Sequence, residues 1–273
     1  MSHEQPRILV FGAHPDDADF KAAGLACLWA QRGYAVRFVS LTDGSAGHHQ
    51  IAGAQLAARR VAEAAASARV AGIEYLVLDN PDGELAHSIE NRRRVVRMIR
   101  EFAPDLVLAP RPDDYHPDHR NTALLVRDAA YMVTVPPHVA SVPHLRYNPI
   151  FAYVYDHFDK PTPYKPDIVI DIDAVIEKKL RMIHSHTSQV YEWLPYNAGI
   201  EADEVPAGEQ ERLDWLRQRY LARDRARADQ FRAQLIDRYG MPRGVAVRHA
   251  ETIQVSEYGR PMTAEDAARL FPF

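Results

Sequence analysis

Six short apolar runs, rich in β-branched residues and separated by longer helical patterns, limit the folds open to this chain: Arg7–Gly12, Ala35–Leu41, Tyr75–Asp79, Asp105–Pro110, Ile150–Asp156 and Asp167–Ile172. The runs are continuous rather than alternating, as for strands buried on both faces of a parallel sheet. Helical patterns fill the gaps at Phe20–Gly33, Ile51–Gly72, Ser88–Phe102, Asn121–Val133 and Ala174–His186. Ser88 is a natural N-cap with Glu90 in the first turn, and Gly33 and Gly72 suit helix C-caps. This alternation predicts an α/β fold: a Rossmann-like, doubly wound, mostly parallel sheet with helices on both faces.

With 273 residues the chain can bury one large core. It reads as a single domain over 1–273, with a core at about 7–189 and a helical C-terminal extension at about 190–273. After Gln189 the sequence turns irregular and acidic, then Glu209–Gly240 reads as one long charged helix. That helix is either a surface helix packed on the domain or a subunit-contact arm. In Arg92–Arg100, helical spacing turns Val95, Val96 and Ile99 to the sheet and the arginines to water.

Charge and composition exclude several classes. The net charge of −4 gives no basis for a nucleic-acid partner. One cysteine, Cys27, excludes an intramolecular disulfide and a Cys-rich metal knuckle, so a metal must be held by His, Asp or Glu. No stretch is long and apolar enough for a membrane span, and the opening Met1–His14 lacks a signal peptide's basic region, which points to the cytoplasm. The first run is followed by neither G-x-G-x-x-G nor a P-loop, and no G-x-S-x-G elbow is present.

A repeated His-Pro-Asp stands just beyond the first and fourth apolar runs: "AHPDDADF" at Ala13–Phe20 and "DDYHPDHRN" at Asp113–Asn121. Ligands of open α/β sheets bind beyond the carboxyl ends of the strands, and strands one and four of the common order are neighbours at the switch point. Two loops could therefore share one pocket holding His14, Asp16, Asp17, His116, Asp118 and His119. Two histidines and a carboxylate satisfy a catalytic zinc site, with a second carboxylate left as base. Asp43, Ser45, His48 and His49 come after the second run and Asp82 after the third, at the same edge.

These blocks, with "LTDGSAG", "LDNPDGEL" and "KKLRMIHSHTSQ", resemble the PIG-L/LmbE-like zinc-dependent N-deacetylases over about Arg7–Gln189. The resemblance implies His14, Asp17 and His119 as metal ligands, Asp16 as general base, and His116 as general acid and oxyanion partner, oriented by Asp118. It implies Zn²⁺, with Fe²⁺ also accepted by such donors. Arg60 and Glu63 match an R-x-x-E pattern near the substrate, Asp82 and His186 match further pocket positions, and Asp43 joins them on the substrate-binding side. The implied reaction removes an N-acetyl group from a small-molecule N-acetylglucosamine-type amino sugar or its conjugate, in a chain that forms a homo-oligomer. Ser45 and Ala18 depart from acidic residues of many relatives, which bears on the substrate. The competing readings are an amidase for another N-acyl or thiol-conjugate amide, and a Rossmann-like binding module whose His-Pro-Asp turns are structural.

Overall fold

Along the first strand, neighbouring side chains enter two different cores. In the computed structural model, which describes residues 5–273, β1 (Arg7–Gly12) sends Ile8 and Val10 to one face and Leu9 and Phe11 to the other, all buried. β1 pairs in parallel with β2 (Ala35–Thr42) and β4 (Leu106–Ala109); β2 pairs with β3 (Glu74–Asn80), and β4 with β5 (Ile150–Val154). The seven-stranded order is β3-β2-β1-β4-β5-β7-β6, with β6 at Ile168–Asp171 and β7 at Ala250–Gly259. The order reverses between β1 and β4, so the loops after these strands adjoin, as the His-Pro-Asp pair requires.

One face is covered by α1 (Asp17–Gln31), whose Leu25 and Trp29 pack on Ile8 and Phe38. α2 (Gly53–Ala71) packs on β3 beside α1. α3 (Ile89–Phe102) and α4 (Pro117–Met132) cover the other face through Val95, Val96, Ile99, Leu125 and Val126. α5 (Ile176–Ser185) and the one-turn α6 (Leu194–Asn197) come after β6, and α5 returns to the α1 face. The Ser88 hydroxyl accepts the Asn91 amide at 3.1 Å, fixing the start of α3 where the sequence placed a cap.

Three sequence expectations are corrected. The long charged helix breaks into α7 (Glu209–Gln230) and α8 (Arg232–Tyr239), because Phe231 turns into a small core with Tyr164, Val169 and Leu235. Arg100 does not face water. It is buried beyond the end of α4 and donates to the carbonyls of Met132, Val133, Val135 and Val139 at 2.7–3.0 Å, a second hydrogen bond for carbonyls that each also accept a backbone amide.

The third correction concerns the segment after Gln189, which is not only helical. After the short α9 (Arg243–Ala246) it supplies β7, antiparallel between β5 and β6, and then α10 (Ala264–Leu270). Buried Glu251 breaks the apolar pattern of β7 and hid the strand. Its carboxylate accepts the Gly24 and Leu25 amides of α1 at 2.9 and 2.8 Å and the Lys179 ammonium at 2.8 Å. Lys179 also reaches Asp224 at 2.9 Å, so one ammonium joins α5, α7 and β7. Among the described residues no helix is long and apolar enough to cross a membrane. Residues 1–4, part of the stretch searched for a leader, lie outside the described residues.

Because β7 lies inside the sheet, a chain ended at Gln189 should fail to fold, as read by far-UV circular dichroism and solubility; a soluble, folded fragment would show that 7–189 stands alone. Lys179→Met leaves the Glu251 and Asp224 charges in the core, and should cost about 3–5 kcal/mol in urea unfolding.

Candidate metal centre

The turn after β1 is built to present side chains. The Ala13 carbonyl accepts the Thr42 amide, the Ser40 hydroxyl and the Thr42 hydroxyl at 2.8–2.9 Å. Asp17 folds back over the turn, and its Oδ2 accepts the Ala13 and His14 amides, both at 2.8 Å. A Cβ on Gly12 would sit 2.8 Å from the Asp17 Cβ, so that position must lack a side chain. Across the switch point, α4 begins at Pro117 with His116 as N-cap; the His116 Nδ1 accepts the Asp118 amide at 3.2 Å.

Three donor groups converge between these loops. His14 Nδ1 and His119 Nε2 are 3.3 Å apart, His119 Nε2 is 3.4 Å from Asp17 Oδ1, and His14 Nδ1 is 3.5 Å from Asp17 Oδ2. Each imidazole is backed by a carboxylate. His119 Nδ1 lies 2.9 Å from Asp114 Oδ1, and since a carboxylate only accepts, that nitrogen carries the proton. His14 Nε2 faces Asp82 Oδ1 at 3.0 Å and Asp118 Oδ2 at 3.4 Å. In their neutral form both rings would therefore turn an unprotonated nitrogen toward Asp17, the carboxylate–histidine arrangement of metal sites. The His116 ring also brings a nitrogen within 4.8 Å of those of His14 and His119. His14 forms a second such group with Asp82 and Asp118, on its other side. That side is less suited, because both Asp118 oxygens already accept the Gly83 and Leu85 amides at 2.7 and 3.2 Å.

The charge balance also calls for a cation. Asp16, Asp17, Asp82, Asp114 and Asp118 surround the three imidazoles, with Arg60 as the one guanidinium paired to this group among the described residues. Burial opposes charge on His14, yet hydrogen bonds to Asp118, Asp17 and Asp82 outweigh it and hold its pKa well above the usual value. Burial likewise opposes charge on His119, but Asp17 and Asp114 push its pKa up to about 9. Burial would raise the Asp17 pKa, and His119 and His14 bring it well below the ordinary carboxylate range. Protons thus take the place a cation would fill, and a divalent metal fits His14, Asp17 and His119 by donor type, spacing and charge.

Asp16 stands beside this group without joining it. Its Oδ1 pairs with Arg60 at 2.9 Å, and among the described residues its Oδ2 accepts no hydrogen bond. Burial and the neighbouring Asp17 raise its pKa against the pull of Arg60. Burial and the charges of His14 and His119 lower the pKa of His116. Asp118 meets His116 through its amide, while its carboxylate serves the Gly83 loop and His14.

The residues expected at the substrate have other partners. Arg60 is 2% exposed; it holds Asp16 and fills the space over Gly44, whose φ of +69° and missing Cβ admit the guanidinium. Asp82 backs His14, and Asp43 Oδ1 accepts the Ser45 and Asp82 amides. His186 is 0% exposed and pairs with Asp19 at 3.1 Å, and Asp19 also accepts the Ser67 hydroxyl. Glu63 anchors the Ser188 amide and hydroxyl at 2.8 and 2.6 Å. Sequence reasoning missed Asp114 and Asp19. Asp114 was legible only as part of a polar stretch before His116, and Asp19 lies one residue into a helix pattern.

The fold and the paired loops define a Rossmann-like protein whose switch point gathers two histidines and a carboxylate that could hold a metal. The profile of the GlcNAc-PI de-N-acetylase (PIG-L) family matches residues 9–130. The diacetylchitobiose deacetylase of Thermococcus kodakarensis is 32% identical over 205 residues, 70% of this chain and 74% of that protein. The 4-oxalmesaconate hydratase of Pseudomonas putida is 26% identical over 204 residues, 72% of this chain and 79% of that protein. The structure of N,N'-diacetylchitobiose deacetylase from Pyrococcus horikoshii, complexed with its inhibitor MPG, superposes with a TM-score of 0.71 at 24% identity, covering 93% of this chain and 84% of that one. This chain belongs to the PIG-L family.

If Asp114 fixes the metal-facing tautomer of His119, Asp114→Ala should weaken binding of added Zn²⁺ by about 10–100-fold, measured by competition with a chromophoric chelator.

Proposed function

We propose that this protein is a zinc-dependent hydrolase, with Fe²⁺ an accepted substitute, that removes the N-acetyl group from an N-acetylglucosamine-type amino sugar or its conjugate. The reading is carried by the convergence of His14, Asp17 and His119 beside an Asp16 with one oxygen free. The deacetylase relative supports the substrate class. The absence of a membrane-length helix among the described residues suits a cytoplasmic enzyme.

A bound divalent ion supplies Lewis-acid charge that acidifies water and polarises the amide carbonyl. The chain's own groups do the rest. Arg60 fixes Asp16 through Oδ1, and Asp16 Oδ2 takes a proton from the attacking water as its oxygen bonds to the carbonyl carbon. His116 Nδ1 accepts the Asp118 amide, so the neutral ring presents Nε2–H as a donor. That donor suits the oxyanion developing on the carbonyl oxygen. A neutral imidazole in this tautomer is a poor acid, so Asp16 returns its proton to the departing nitrogen as the C–N bond breaks. This keeps His116 as oxyanion partner and moves the acid role expected of it to Asp16. The products are acetate and a free amine.

Asp16→Asn should lower kcat for acetate release by about 10²–10⁴-fold, with metal content unchanged by elemental analysis. His116→Gln, which keeps an N–H donor, should retain more activity than His116→Ala; equal losses would return the acid role to His116. The hydratase relative favours a second reading, in which the same groups activate water for addition rather than hydrolysis. Stoichiometric acetate and amine from N-acetylglucosamine derivatives would decide for hydrolysis, and turnover of an unsaturated acid alone would decide against it.

A further inference from the structure

The space beside the centre opens away from Arg60, toward β4 and β5. An open cleft of about 400 Å³, solvent-facing space included, lies there, bordered by Asp17 and Lys21 of α1, Arg111, Asp114 and His119 after β4, and Asp156 after β5. It touches Asp17 and His119 of the candidate metal centre, and its walls are largely apolar. Two cations reach it, in different states. Arg111 is occupied: it pairs with Asp156 at 2.8 Å and donates to the Phe158 carbonyl at 3.1 Å and to the Thr162 carbonyl.

Lys21 is not occupied in this way. Its ammonium makes one hydrogen bond, to the Tyr155 carbonyl at 2.9 Å, and pairs with no carboxylate among the described residues. Two of its three N–H donors remain for whatever enters. Burial and nearby Arg227 lower its pKa to about 8, against the more distant pull of Asp17, Asp156 and Asp114, so it remains largely charged at neutral pH. A second cavity, of about 310 Å³, meets the first at Lys21 and is bordered by Lys179, Arg223 and Arg227, with Asp224 the one carboxylate in its lining. Lys179 and Arg227 both pair with that Asp224, and Lys179 also with Glu251, so among the described residues Lys21 and Arg223 are the cations in this lining that pair with no carboxylate.

We propose that Lys21 is a specificity-determining residue and that the substrate carries a carboxylate, which seats on the Lys21 ammonium in the cavity beside the centre. This rests on the amide-hydrolase reading of the site. A partly buried ammonium with no carboxylate in contact and two N–H donors unmet is unfavourable, and a carboxylate in contact relieves this more than a neutral hydroxyl does. Two free donors match the two oxygens of one carboxylate. The carboxylate belongs either to the acyl group or to the amine side of the scissile amide.

Three substrates sharing glucosamine separate these cases on the metal-loaded full chain: N-acetylglucosamine, N-succinylglucosamine with its carboxylate on the acyl group, and N-acetylmuramic acid with its carboxylate on the sugar. One of the two acids should show kcat/KM about tenfold or more above the neutral amide, mainly through KM. Lys21→Met should remove that advantage, and Lys21→Arg should keep most of it. The proposal is overturned if the neutral substrate matches both acids, or if Lys21→Met lowers all three by one common factor. Succinate alone, titrated by calorimetry, gives a readout without turnover. It should bind the wild-type chain about tenfold more tightly than Lys21→Gln, and equal affinity overturns the proposal. If no amide is cleaved, amide hydrolysis falls, while the succinate titration still tests Lys21.

Discussion

Everything at this centre depends on an unbalanced group of buried charges. Five aspartates face three imidazoles and one guanidinium at the switch point. A cluster of this sign is unstable in a protein interior unless a cation or bound protons neutralise it. The chain reduces the strain by giving each carboxylate fixed donors. Asp17 takes two amides of its own turn, Asp118 takes two amides of the Gly83 loop, and Asp16 takes Arg60. These bonds also fix where the remaining lone pairs point, so the same interactions that make the cluster tolerable hold its donor groups in place.

The scaffold holds these loops through packing on both faces of the sheet. Ile8 and Val10 tie β1 to α1, Leu9 and Phe11 tie it to the α3–α4 layer, and the turn beyond the strand has little freedom left. Thr42 and Ser40 at the end of β2 close the turn from the other side. The C-terminal segment contributes from a distance. Glu251 on β7 accepts two amides in the middle of α1, the helix that carries Asp17 and Lys21, and Lys179 secures Glu251 in turn. Residues far along the chain thus set the position of a helix at the site.

Arg60 illustrates how burial redefines a role. The R-x-x-E pattern invites a reading of Arg60 as a substrate contact, but it is enclosed over Gly44 and holds Asp16. His186 and Asp19 form an equally enclosed pair behind it. The open volume lies on the opposite side of the metal donors, where Lys21 supplies the uncommitted charge.

The sequence by itself determined the parallel sheet, its two helical layers and the six groups of the paired His-Pro-Asp loops, because hydrophobic periodicity and residue chemistry are local properties of the chain. β7 was not legible, since Glu251 interrupts its apolar pattern and finds its partners 72, 226 and 227 residues away. The break at Phe231 and the burial of Arg100 escaped for the same reason, each being set by distant carbonyls or a remote small core. Only the tertiary structure decided which aspartate backs which histidine, that Arg60 faces Asp16, and that Lys21 reaches the cleft without a carboxylate partner among the described residues. Those outcomes depend on distances between loops some 100 residues apart in the chain, such as His14 and His119, which no local pattern encodes.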